Sequence, residues 1–68
     1  MIRPEDISPL TDFARNTKAH MQKLRRTGRP ELLTVNGKAA VVVQNASAYQ
    51  HLIELLEKLK RDLREKTD

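Results

Sequence analysis

Residues 32–44 read LLTVNGKAAVVVQ, two apolar runs on either side of Asn36-Gly37. Asn-Gly is the strongest short signal for a type I′ turn, because both central residues of that turn take positive φ. A β-hairpin is expected here. Val41, Val42 and Val43 follow one another with no polar alternate, the pattern of a strand covered on both faces. A lone two-stranded hairpin is marginal in water. This one therefore needs helices on one face, and a second subunit beside it or on the other face. The hairpin is expected to join subunits.

Helical patterns flank it. In SPLTDFARN, Ser8 reads as an N-cap and Pro9 as the first helical residue, whose missing N–H is not needed there. Asp12 suits the first turn of a helix dipole. Leu10, Phe13, Ala14, Thr17, Met21 and Leu24 keep helical spacing up to Gly28, with Pro30 barring continuation. Asn16-Thr17 offers a second cap, so one helix or a short and a long one both fit. MIRPEDI, ahead of this, reads as a short edge strand or extended arm, since Pro4 lacks a donor. After the hairpin, Asn45 is the expected N-cap, with Ser47 as alternative, and residues 46–66 contain neither Gly nor Pro. Tyr49, Leu52, Ile53, Leu56, Leu59 and Leu63 form a stripe at spacings of three and four. Its first half, to Leu56, is apolar enough to pack on the hairpin. Beyond it only Leu59 and Leu63 remain amid charge, a face narrow for a core but wide enough for a groove. The stripe also fits pairing of two such helices.

Sixty-eight residues make one small domain, of a size that buries only about 60% of its unfolded surface alone. Reinforcement comes from disulfides, a metal or association. The chain has no cysteine, and neither His20 nor His51 has a metal-binding companion at i+4. Association is left. Phe13 and Tyr49 are the sole aromatics, too few for stacking single-stranded nucleic acid. No apolar run is long enough to span a bilayer and the N-terminus lacks signal-peptide character, so a soluble cytoplasmic protein without membrane association is expected. No nucleophile constellation or phosphate loop appears. Asp12 with His20, or His51 with Glu54, would be the acid–base pairs of an enzyme, but both histidines border apolar stripes and are expected to serve packing. The chain is not expected to be an enzyme or to hold a cofactor.

Charge is uneven. Residues 1–38 carry eight Lys and Arg against four acids, while residues 39–68 carry five of each. An excess confined to one half suggests a polyanion for that half and a different partner for the other. On a helical wheel Arg15, Lys18, Lys23, Arg25 and Arg26 fall opposite Leu10, Phe13, Met21 and Leu24, and no acid intervenes from Asn16 to Pro30. In a dimer this basic face is doubled and meets two half-sites of a duplex.

With these segments in order, the chain resembles the Phd/YefM family of antitoxins, the DNA-binding halves of type II toxin–antitoxin pairs. The resemblance covers residues 2–53 and rests on the opening extended segment, ISPLTDFARNTKAHMQKL for the helical stretch, TGRPELLTVNGKAAVVVQ for the hairpin, and NASAYQHLIE for the start of the last helix. It implies an α/β (α+β) fold: a small antiparallel sheet with helices on one face, dimerisation through the sheet region, and a long C-terminal helix. Residues 1–53 would form the dimerisation and DNA-binding domain and residues 54–68 a toxin-binding helical tail. Arg15 and Asn16 match the family's DNA-contacting arginine region, and Tyr49 its structural tyrosine. Where members carry an arginine just before the turn glycine, this chain has Val35, and Lys38 is the substitute.

The expected function is that of an antitoxin. It neutralises a cognate toxin of the RelE/ParE kind and, as a homodimer, binds double-stranded operator DNA to repress its own operon. Arg3, Arg15, Asn16, Thr17, Lys18 and Lys38 are the expected DNA contacts, and Leu52, Leu55, Leu56, Leu59 and Leu63 the expected toxin contacts. The alternatives are a dimeric protein-interaction module whose basic helix merely solubilises it, or a ribbon-helix-helix-like repressor without a toxin partner. The proline-bearing MIRPEDI is a poor DNA-reading strand and weighs against the last.

Overall fold

A computed structural model of the protein describes residues 2–66. Met1, Thr67 and Asp68, which belong to the two expected segments, lie outside the described residues. A 3-10 turn at Pro4–Asp6 leads into β1 (Ile7–Pro9), α1 (Leu10–Arg15), α2 (Thr17–Thr27), β2 (Glu31–Val35), β3 (Lys38–Val43) and α3 (Ala46–Lys66). The expected helix start moves accordingly. Ser8 and Pro9 pair with Leu33 and Thr34 in β1, and Pro9, whose side chain makes no cap bond, stands at the N-cap position of α1. Pairing with β2 outweighs the local capping signal.

The three strands run in the order β1-β2-β3. β2 and β3 are antiparallel, but β1 pairs with β2 in parallel. The sheet is mixed, which corrects the expected antiparallel one. The cause is connectivity: α1 and α2 carry the chain back from the end of β1 to the start of β2, and such a crossover lays the second strand alongside the first in the same direction. Leu33 pairs with Val41 and Thr34 with Ala39, so Ala40 is an extra residue that bulges β3. The turn is as expected, with Asn36 at φ 53° and Gly37 at φ 75°.

Residues two apart on a strand share a face, and Glu31 and Leu33 of β2 face α1 and α2, both buried. Leu33 is 1% exposed and Leu24 of α2 3%; these are the fully buried hydrophobics among the described residues. Each contributes about 1.5–3 kcal/mol relative to an exposed side chain. The core is small. Across the other face Ile7, Leu32 and Val42 line up in register, and Ile7 and Val42 are exposed, Val42 by 59%. The valine strand expected to be covered on both faces is an open edge in the single chain.

α2 ends as its sequence requires. Gly28 adopts left-handed φ 68° and its N–H donates to the Leu24 carbonyl at 2.9 Å. α3 begins directly after Asn45, whose carbonyl accepts from the Tyr49 N–H at 3.0 Å. It then runs unbroken through residue 54, the expected boundary between body and tail. The expectation that its first half packs on the hairpin is not met: Tyr49, Leu52, Leu55 and Leu56 are all exposed. The radius of gyration shows the consequence, 15.5 Å against about 11 Å for a compact chain of this length.

Candidate functional site

The helical stretch divides at Asn16, whose backbone (φ −123°, ψ 42°) is neither helical nor extended. The break has visible causes. Thr17 Oγ donates to the carbonyls of Phe13 (2.8 Å) and Ala14 (3.2 Å), and Asn16 Nδ2 donates to Asp12 Oδ1 at 3.2 Å. Side-chain bonds of this kind compete with the helical ladder. The corner so formed is a shallow depression lined by Arg15, Asn16, Thr17, Lys18, Ala19 and Gln22. Four of the six expected DNA contacts are thus brought together and exposed. Arg3 and Lys38 do not join them. Arg3 lies beside Gly28–Pro30, 3.9 Å from Glu5, and Lys38 follows the hairpin turn.

The basic face expected on α2 is reduced. Lys23 folds inward, donating to the Glu5 carbonyl and standing 3.5 Å from Asp6 Oδ1. Arg29, just past the helix, grips Asp6 with Nε at 2.8 Å and Nη2 at 3.3 Å. Asp6 is buried, and these two cations keep it ionised. The Arg29 hydrogen bond is the largest influence holding its carboxyl below the ordinary range; burial opposes it and the nearby Lys23 charge assists. Reciprocally, the bond to Asp6 raises the Arg29 pKa. Lys23 and Arg29 therefore clamp the 3-10 turn to the end of α2, while Arg15, Lys18, Arg25 and Arg26 remain exposed.

A second polar cluster holds the corner from beneath. His20, buried on α2, is hydrogen-bonded at Nε2 to Asp12 Oδ2 (2.7 Å) and at Nδ1 to Glu31 Oε1 (2.5 Å). Glu31 is 0% exposed, and its Oε2 has no hydrogen-bond partner among the described residues. The His20 bond is the main reason the Asp12 carboxyl lies below its ordinary pKa; burial acts against it and the Asn16 bond with it. Phe13 packs on the imidazole, ring centres 5.2 Å apart. The packing role expected of His20 holds, with hydrogen bonds to two carboxyl groups added. Sequence reasoning missed Glu31. Its signal was the strand period: with Leu33 facing inward, Glu31 two residues earlier does too.

The second candidate surface is α3. Leu52, Leu55, Leu56, Leu59 and Leu63, the expected toxin contacts, are all between 43% and 58% exposed. They share one helix with Tyr49, which is itself 54% exposed and fills no core position. Among the described residues none buries this stripe. Among the described residues no group of three or more His, Asp or Glu side chains is placed to hold a metal ion, and no helix is long and apolar enough to cross a membrane.

No protein-family model matches the chain, and neither a curated protein nor a solved structure matches it.

Proposed function

We propose that this chain is an antitoxin, in which a homodimer joined through the sheet region binds operator DNA at the α1–α2 corner and occupies a toxin with α3. One observation carries the reading: an exposed cationic corner coexists with a long, uncovered leucine stripe on a separate element. Arg15 and Lys18 supply phosphate contacts there, and Asn16 and Thr17 offer hydrogen bonds at the same depression. The open β3 edge, with Val41 and Val42 exposed, is the surface that a second copy would cover. The stripe Leu52, Leu55, Leu56, Leu59 and Leu63 has the form of an amphipathic helix that enters a groove. The toxin would be of the RelE/ParE kind, as the family resemblance implies.

The test is a gel shift with the DNA upstream of the coding sequence, together with co-expression of the neighbouring reading frame. Specific binding at ~50 mM salt and relief of growth arrest are expected. Arg15→Ala with Lys18→Ala should abolish the shift while the fold persists, and each lost phosphate contact should lower the salt slope by about one. A folded dimer that ignores this DNA sinks the operator half, and growth arrest unrelieved by co-expression sinks the toxin half. The second reading, an interaction module with no nucleic-acid role, is favoured by the commitment of Lys23 and Arg29 to Asp6. Under it the double substitution leaves function intact.

A further inference from the structure

We infer that Asp12, His20 and Glu31 form a polar strut that positions the α1–α2 corner, so that Asp12, an acid beside a cationic surface, strengthens anion binding instead of opposing it. This rests on the proposed DNA-binding role of the corner.

The chain of bonds is continuous. It starts at Glu31, fully buried in the central strand, crosses to His20 on α2, passes to Asp12 on α1, and ends on the Asn16 amide at the corner itself. Three elements of the fold, β2, α2 and α1, are thereby tied to one rigid point in the sheet. Apart from the Thr17 hydroxyl bonds to Phe13 and Ala14, the corner has little packing to fix it. Leu10, Ala14, Arg15, Asn16, Thr17, Lys18 and Ala19 are all exposed, and α1 is only six residues long, far below the length at which a helix is stable alone. Two backbone bonds close the corner, Asn16 N–H to the Asp12 carbonyl at 2.9 Å and His20 N–H to the Asn16 carbonyl at 3.1 Å. Both involve strut residues. Charge-assisted bonds of this sort are the strong ones, and a surface that reads phosphate spacing needs its donors held in register.

Electrostatics alone makes the opposite prediction. Asp12 is a negative charge one helical turn from Arg15 and Asn16, so its removal should tighten binding to any duplex. The strut requires removal to weaken it. Asp12 is partly exposed (side chain 42%), and Asp12→Ala leaves the buried His20–Glu31 bond in place, so the chain should fold. Asp12→Asn removes the same charge but keeps an amide oxygen for His20 and an NH2 for a flipped Asn16 amide.

The experiment uses the full-length wild type, Asp12→Ala and Asp12→Asn, read by amide hydrogen exchange and by titration with a duplex of the upstream sequence. In Asp12→Ala, exchange at the Asn16 and His20 amides should rise about tenfold, the loss of one charge-assisted bond, while the Leu24 and Leu33 amides stay as in wild type. Its affinity for the duplex should fall by about tenfold, with the salt slope unchanged. Asp12→Asn should restore both readouts most of the way. Corner amides unaffected in Asp12→Ala, or duplex binding as tight as wild type or tighter, overturns the strut. Failure of Asp12→Asn to rescue either readout also overturns it. Wild-type protein that does not bind the duplex overturns the DNA reading and the functional half of this inference together.

Discussion

The two halves of this molecule spend their side chains in opposite ways. From Pro4 to Leu33 the chain closes on itself, with Asp6 held between Arg29 and Lys23 and His20 between Asp12 and Glu31. From Lys38 onward the apolar residues outnumber their partners, leaving Val41, Val42 and the leucines of α3 in water. Ionic fasteners compensate in the first half for a core too small to hold it. In the second half nothing compensates. The first half thus ties its charged groups to one another, while the second leaves most of its large apolar side chains exposed in the single chain.

Several substitutions would break that contrast or sharpen it. The largest effect is expected from His20→Leu, which strands the Glu31 carboxylate without a donor; losing one partner of a buried pair destabilises by about 3–5 kcal/mol, read as a fall in denaturation midpoint. Adding Glu31→Leu should recover most of the loss, as a matched apolar pair. Leu33→Ala should follow at about 2–5 kcal/mol, the usual range for a buried leucine. Gly28→Ala meets no atom within 4 Å, so only its left-handed backbone resists, and a loss of about 1–2 kcal/mol is expected. On α3, Leu59→Ala should change the stability of the isolated chain by no more than about 0.5 kcal/mol, because that side chain is 55% exposed. Under the proposed antitoxin role, the same substitution should nonetheless abolish capture of a co-expressed toxin. A Leu59→Ala effect as large as that of Leu33→Ala would mean that the two halves are not different in kind.

Acid should discriminate between them as well. The folded Asp6 and Asp12 carboxyls both lie below the ordinary value of 3.8, so the folded state holds fewer protons than the unfolded chain. Their stabilisation is complete above that value and is lost as the pH falls through the depressed folded ones. Melting temperatures recorded from about pH 7 down to about pH 2 should decline mainly below the ordinary carboxyl range. Asp6→Asn should flatten part of that decline.

Local chemistry made much of this legible. Asn36-Gly37 specified its turn, Gly28 with Pro30 the end of α2, and the Asn16-Thr17 alternative the break that creates the corner. The uninterrupted stripe after Asn45 announced α3. Where sequence reading failed, contacts between distant residues decided the outcome. Ser8-Pro9 is a sound helix start by local rules, yet both residues pair with β2. The Asp12–His20–Glu31 strut joins residues on three elements, and the Asp6–Arg29 clamp spans 23 positions; no periodicity carries such pairings. Lys23 looked like one more cation on a solvated face until the 3-10 turn supplied its acceptors.

Only Gln44 and Asn45 separate β3 from α3. A helix of 21 residues extends about 31 Å, so it is a long handle on a very short hinge. Whatever seizes the far end of that handle applies torque to the strand at its root, and whatever fixes the strand dictates where the handle can swing.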